Sequence, residues 1–201
     1  GSSCSPFCRP FVAGARVVRE RQKSRRRTGD LAESGRRLRP RARLGYASAM
    51  GHDALTRLLD ERACERLVID YTHFVDFGEA ARIADLFTDD GVWEADGVRM
   101  DGRDAIRAGF GARQRVTRRT SRHVCTNLAV TLTGPDEATG LSYLVNYRHD
   151  SKTGTAELPA PVGHPKFVGE YHDRFVRTAD GWRIAHRRCT LSFVRARGAG
   201  A

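Results

Sequence analysis

The second half of the chain consists of four long strand-type runs in two pairs, and this pattern limits the fold more than any other feature. Residues 121–132 and 138–149 flank the turn Thr133-Gly134-Pro135-Asp136-Glu137, and residues 167–178 and 182–194 flank Ala179-Asp180-Gly181. Runs of this kind joined by Gly, Pro and Asp turns read as antiparallel hairpins. Between the pairs, residues 150–166 carry Pro159, Pro161 and Pro165 and read as a long irregular loop of the kind that serves as a lid.

Ahead of the strands the period changes. Leu55, Leu58, Leu59, Ala63, Leu67, Val68, Tyr71, Phe74 and Val75 recur at helical spacing over residues 53–77, and Gly78 stops the pattern. A short second helix is expected over residues 79–87, ended by Thr88-Asp89-Asp90-Gly91. Residues 92–94 and 98–100 then form a small hairpin about Asp96-Gly97. Asp104 is the expected N-cap of a third helix bearing Ile106 and Phe110. Helices followed by strands give an α+β class, with three N-terminal helices packed on the concave face of a curved antiparallel sheet.

Charge separates this domain from what precedes it. Through Ala49 there are 13 Lys and Arg against 3 Asp and Glu, which leaves 22 against 21 for the rest. Residues 1–49 are Arg-, Gly-, Ser- and Pro-rich with little apolar surface to offset ordering entropy, so they are expected to be disordered, as are residues 196–201. Three meanings compete for the extension: a nucleic-acid-binding arm, an organellar transit peptide, and coding sequence upstream of a true start at Met50. The last is the expectation, because Met50 directly precedes the helical pattern. The nearly neutral domain gives no basis for nucleic-acid binding beyond nonspecific attraction by the extension.

Nothing in the chain approaches a membrane span. Cys4, Cys8, Cys64, Cys125 and Cys189 lack paired-ligand spacing, and a reducing cytoplasm is expected. No metal-ligand motif, phosphate loop or dinucleotide fingerprint occurs, so the expectation is chemistry without metal or cofactor.

The order of elements, with Tyr71-Thr72-His73-Phe74-Val75-Asp76-Phe77-Gly78, Leu86-Phe87-Thr88-Asp89-Asp90-Gly91-Val92-Trp93, Gly102-Arg103-Asp104-Ala105-Ile106, Arg122-His123-Val124-Cys125-Thr126-Asn127 and Asp180-Gly181-Trp182-Arg183-Ile184, resembles the SnoaL-like family of the nuclear-transport-factor-two-like superfamily. The resemblance covers nearly all of residues 52–195. Relatives include polyketide cyclases, scytalone dehydratase, bile acid 7α-dehydratase, ketosteroid isomerase and a non-catalytic dioxygenase subunit. The resemblance implies a cone-shaped barrel, a pocket between the first helix and the concave sheet, and dimerisation through the sheet. It does not choose the reaction, since one fold hosts many.

Tyr71, Asp76 and His123 resemble the catalytic set of the dehydratases. Asp76 would bond a ring nitrogen of His123 and fix its tautomer, His123 would carry the proton, and Tyr71 would donate to a developing oxyanion. Each has a plainer alternative: a core tyrosine, a capping aspartate, a strand histidine. Strand alternation places His123, Cys125, Asn127 and Ala129 on one side. Phe74, Trp93, Asn127 and Asn146 are the expected substrate-binding residues. An enzyme of the dehydratase, isomerase or cyclase type, acting on a small hydrophobic carbonyl compound, competes here with a non-catalytic binding module or accessory subunit.

Overall fold

The computed structural model describes residues 43–161 and 163–195, with side chains from residue 53 onward. Most of the Arg-rich extension and all of residues 196–201 lie outside the described residues. Helix α1 runs Arg43–Asp76, so residues 43–49, expected to belong to the disordered extension, are helical. Its buried stripe is Cys64, Leu67, Val68, Tyr71 and Val75. Leu55, Leu58 and Leu59, counted in the same stripe from sequence, are 53–60% exposed. The sheet reaches only the later turns of the helix.

Gly78 ends α1 with φ of 84°, while the Glu79 N–H reaches back to the Phe74 carbonyl at 3.0 Å. This is a left-handed C-terminal cap that few residues other than glycine adopt without strain. A 3₁₀ helix, Ala80–Leu86, follows and buries Ala80, Ile83, Ala84 and Leu86.

Strand β1, Phe87–Ala95, includes the four residues expected to form a turn. They are absorbed by a register irregularity between Phe87 and Val92 against the last strand. Strand β2, Val98–Asp101, pairs with β1 across Asp96-Gly97, whose φ angles of 41° and 80° are those of a two-residue hairpin turn. Helix α2, Arg103–Gln114, has Gly102 rather than Asp104 at its N-cap. Asp104 sits in the first turn, where its charge favours the positive helix end.

The four long strands are β3 Arg119–Leu132, β4 Glu137–Asp150, β5 Phe167–Thr178 and β6 Gly181–Val194. The sheet order is β2-β1-β6-β5-β4-β3. Its pairings are antiparallel except β1 with β6, which is parallel, so the sheet is mixed rather than wholly antiparallel. It is open, not closed into a full barrel, and has the cone-shaped α+β architecture. Helix α2 also follows the β1–β2 hairpin, so the three helices are not all N-terminal to the strands. The core lies between the helices and the inner sheet face, where Tyr71, Phe87, Ile106, Phe110, Leu144, Tyr171, Phe175 and Ile184 are buried. No helix among the described residues is long and apolar enough to cross a membrane.

Candidate active site

Asp76 occupies the last turn of α1, where the helix dipole opposes a carboxylate. Three donors from β3 offset that cost. The His123 N–H donates to Oδ2 at 2.7 Å, His123 Nδ1 lies 2.7 Å from Oδ1, and Ser121 Oγ donates to Oδ1 at 2.9 Å. Arg113 of α2 in turn donates to Ser121 Oγ at 3.1 Å. The Asp76 side chain is 5% exposed and that of His123 13%.

With a carboxylate facing Nδ1, the ring carries its proton on that atom, and Nε2 is left with a lone pair to accept another. The contact holds the His123 ring in one orientation. Asn146 stands directly opposite it on β4 and is 2% exposed.

Deeper in the cone lies a second polar group of residues. Trp93 Nε1 donates to the Tyr71 hydroxyl at 3.0 Å, so the phenol proton is directed elsewhere. The Tyr71 ring meets Phe110 and Tyr171 edge-on at 5.7 and 5.6 Å and has the Arg187 guanidinium 4.3 Å from its centre. Burial pushes the Tyr71 hydroxyl up to about 12, against the lowering pull of Arg187, so the phenol remains a neutral donor at physiological pH.

Arg187 is itself fully buried and makes two bonds of 2.7 Å to Asp173. Burial works against its charge, but the Asp173 carboxylate outweighs that and holds the guanidinium ionised. Among the described residues, Arg187 Nη1 and Ser142 Oγ are buried without hydrogen-bond partners.

The two groups are separated along the sheet. Tyr171, which touches Tyr71, pairs with Ser142, four residues and on the order of 14 Å along β4 from Asn146. The structure thus brings Asp76, His123 and Asn146 together and brings Trp93 to Tyr71. Tyr71 shares no hydrogen bond or ring contact with Asp76 or His123 among the described residues. Phe74 packs half-buried against the core beneath the Arg82 guanidinium, 4.3 Å from its ring.

Asn127 departs from the expectation. A bulge between Thr126 and Ala129 gives Asn127 a φ of 50° and resets the alternation. Asn127 and Ala129 are exposed, and Leu128 and Val130 turn inward instead.

Sequence reasoning did not single out Ser121 or Arg113. Ser121 was accessible through its two-residue spacing from His123. An extra residue in β6 near Ala185 shifts the register, so Ile184 and Arg187, three apart, both face inward; alternation alone would turn Arg187 outward. Among the described residues no group of His, Cys, Asp and Glu is arranged to hold a metal ion.

Known proteins place this geometry in context. No curated protein sequence matches the chain significantly. A solved protein of unknown function from Mycobacterium tuberculosis is 29% identical over 69% of this chain and 80% of its own, with a TM-score of 0.54. A nuclear-transport-factor-two-like protein with a cystatin-like fold from Novosphingobium aromaticivorans is 25% identical over 73% of this chain and 92% of its own, with a TM-score of 0.60. A provisionally assigned scytalone dehydratase of the same bacterium, 23% identical over 74% and 94% of the two chains with a TM-score of 0.60, shares the fold. The family model for the SnoaL-like domain matches residues 56–188, from the exposed middle turns of α1 to the strand that carries Arg187, and the chain belongs to that family.

Proposed function

We propose that the domain, taken as residues 52–195, is a cofactor-free acid–base enzyme acting on a small hydrophobic carbonyl compound, by dehydration, isomerisation or cyclisation. The observation that supports this most is the Asp76 carboxylate bound at once to the His123 backbone N–H and ring Nδ1. His123 Nε2 removes a proton from the carbon next to the carbonyl, and the electron pair moves onto oxygen as an enolate. A neutral donor, the Asn146 carboxamide opposite His123, bonds that oxygen most strongly as charge develops, while Tyr71, in the separate group with Trp93, borders the substrate farther along the sheet. The imidazolium then returns the proton to a departing hydroxyl in a dehydration, or to another carbon in an isomerisation. Asp76 steadies the ring while it is charged.

The test is proton exchange on a model ketone. In D2O the protein should accelerate deuteration of 2-tetralone beside its carbonyl, and His123→Gln should lower that acceleration by about 100-fold. Equal exchange with and without the histidine would defeat the reading.

One observation favours the alternative of a non-catalytic binding module. Tyr71 is 2% exposed and enclosed by Trp93, Phe110, Tyr171 and Arg187, as a core tyrosine would be. Quenching of tryptophan fluorescence by 2-tetralone without exchange would support that module.

A homodimer through the outer sheet face also fits, with Val124, Leu141, Tyr143 and Tyr147 37–47% exposed there. The described cysteines, Cys64, Cys125 and Cys189, are unpaired, as expected of a cytoplasmic protein.

A further inference from the structure

A cleft of about 460 Å³ lies at the ends of β4, β5 and β6, lined by Arg148, His149, Asp150, Lys152, Lys166 and Arg195 together with Pro161 and Gly163. Four cations face one carboxylate, and that carboxylate is already committed. Asp150 accepts two bonds from Arg119, at 2.6 and 3.1 Å, and others from Arg148. Lys152, Lys166 and Arg195 have no ion-pair partner among the described residues, and the sequence beyond Arg195 contains no Asp or Glu.

The backbone holds two of these cations side by side. The Lys166 N–H bonds the Asn146 carbonyl at 2.7 Å and the Arg195 N–H bonds the Lys166 carbonyl at 3.1 Å, which carries the ladder one step past the Phe167–Val194 pair. Lys166 and Arg195 are thus cross-strand neighbours, a position where like charges repel. Among the described residues no carboxylate pairs with either cation, and a bound anion would relieve that repulsion.

We propose that this cleft binds a multivalent oxyanion, namely a small molecule carrying a phosphate or pyrophosphate group. Its volume falls within the ~300–1,000 Å³ of small-ligand sites. Arg195 supplies a planar fork that matches two phosphate oxygens, Arg148 keeps only the edge of its guanidinium turned away from Asp150, and Lys152 and Lys166 act as compact charges. The site shares no lining residue with Tyr71, Asp76 or His123, so it stands independently of the acid–base reading.

Calorimetric titration of the full chain with pyrophosphate at low ionic strength tests it. The parent protein should bind, and Lys166→Glu with Arg195→Glu should weaken affinity by about tenfold or more. Arg57→Glu with Arg174→Glu, exposed and outside the cleft, makes the same change in net charge and should leave affinity within about twofold. If the first pair fails to fold by circular dichroism, Lys166→Ala and Arg195→Gln singly should each still weaken binding severalfold. Citrate separates phosphate from carboxylate recognition: citrate binding as tightly as pyrophosphate overturns the phosphate assignment. Absence of binding by the parent, or equal loss in both charge-reversed pairs, overturns the site itself.

Discussion

At the scale of single residues, Asp76 and Arg187 make opposite uses of a buried charge. Asp76 is held by three donors and passes its orientation to His123. Asp76→Asn keeps the size but presents one oxygen and a donor where two oxygens stood. Exchange on 2-tetralone should fall by about 100-fold, and adding His123→Gln should cost little more, because the two act as one unit. A loss in the double variant equal to the product of the single losses would contradict that coupling. Arg187 instead supports the cone beneath Tyr71 and Tyr171, each ring centre 4.3 Å from the guanidinium. Arg187→Leu leaves the Asp173 carboxylate buried and unpaired, and should lower stability by about 3–5 kcal/mol in urea unfolding. A loss below about 1 kcal/mol would mean that water replaces the guanidinium.

At the scale of elements, strand pairing determines which residues become a site. The helix stripe and the hairpins were legible because each depends on regular spacing, helical in α1 and alternating in the first half of β3, whereas the Asp76–His123 pair was legible through the resemblance to the dehydratases' catalytic set. Asn127 and Arg187 were not, because a bulge in β3 and another in β6 each reset the alternation by one residue. A bulge depends on the partner strand as much as on its own sequence, so neither strand carries it alone. The parallel β1–β6 pairing was hidden for the same reason. Asp150 ties the paired ends of β3 and β4 through Arg119 and Arg148. The Arg119 hydrogen bond, against the opposing effect of burial and with further help from Arg148, holds the Asp150 carboxyl well below the usual carboxylate range. A depressed folded pKa contributes stability that is full above the unfolded value near ~4 and lost as pH falls below it. Asp150→Asn should therefore flatten the acid limb of a stability–pH profile while shifting stability at pH 7 downward. An unchanged acid limb would contradict that linkage.

At the scale of the whole molecule, the two sheet faces carry different surfaces. The inner face of β4 buries Ala138, Ser142, Leu144 and Asn146, whereas its outer face exposes Leu141, Tyr143 and Tyr147. Apolar residues aligned on an open sheet face suit a symmetric partner bearing the same residues. If that face forms a homodimer, sedimentation should give twice the chain mass, and Tyr143→Glu should shift the population toward monomer. A monomeric parent protein at micromolar concentration would remove this assignment without touching the inner site.

The most direct measurement is the nitrogen spectrum of the His123 ring at neutral pH, recorded by long-range proton–nitrogen correlation on the parent protein and on Asp76→Asn. The account predicts a proton on Nδ1 in the parent, with Nε2 bare whenever the ring is neutral, and loss of that preference in the variant. A neutral His123 protonated on Nε2 in the parent would mean that Asp76 does not hold the ring as a base, and the acid–base function would fall with it.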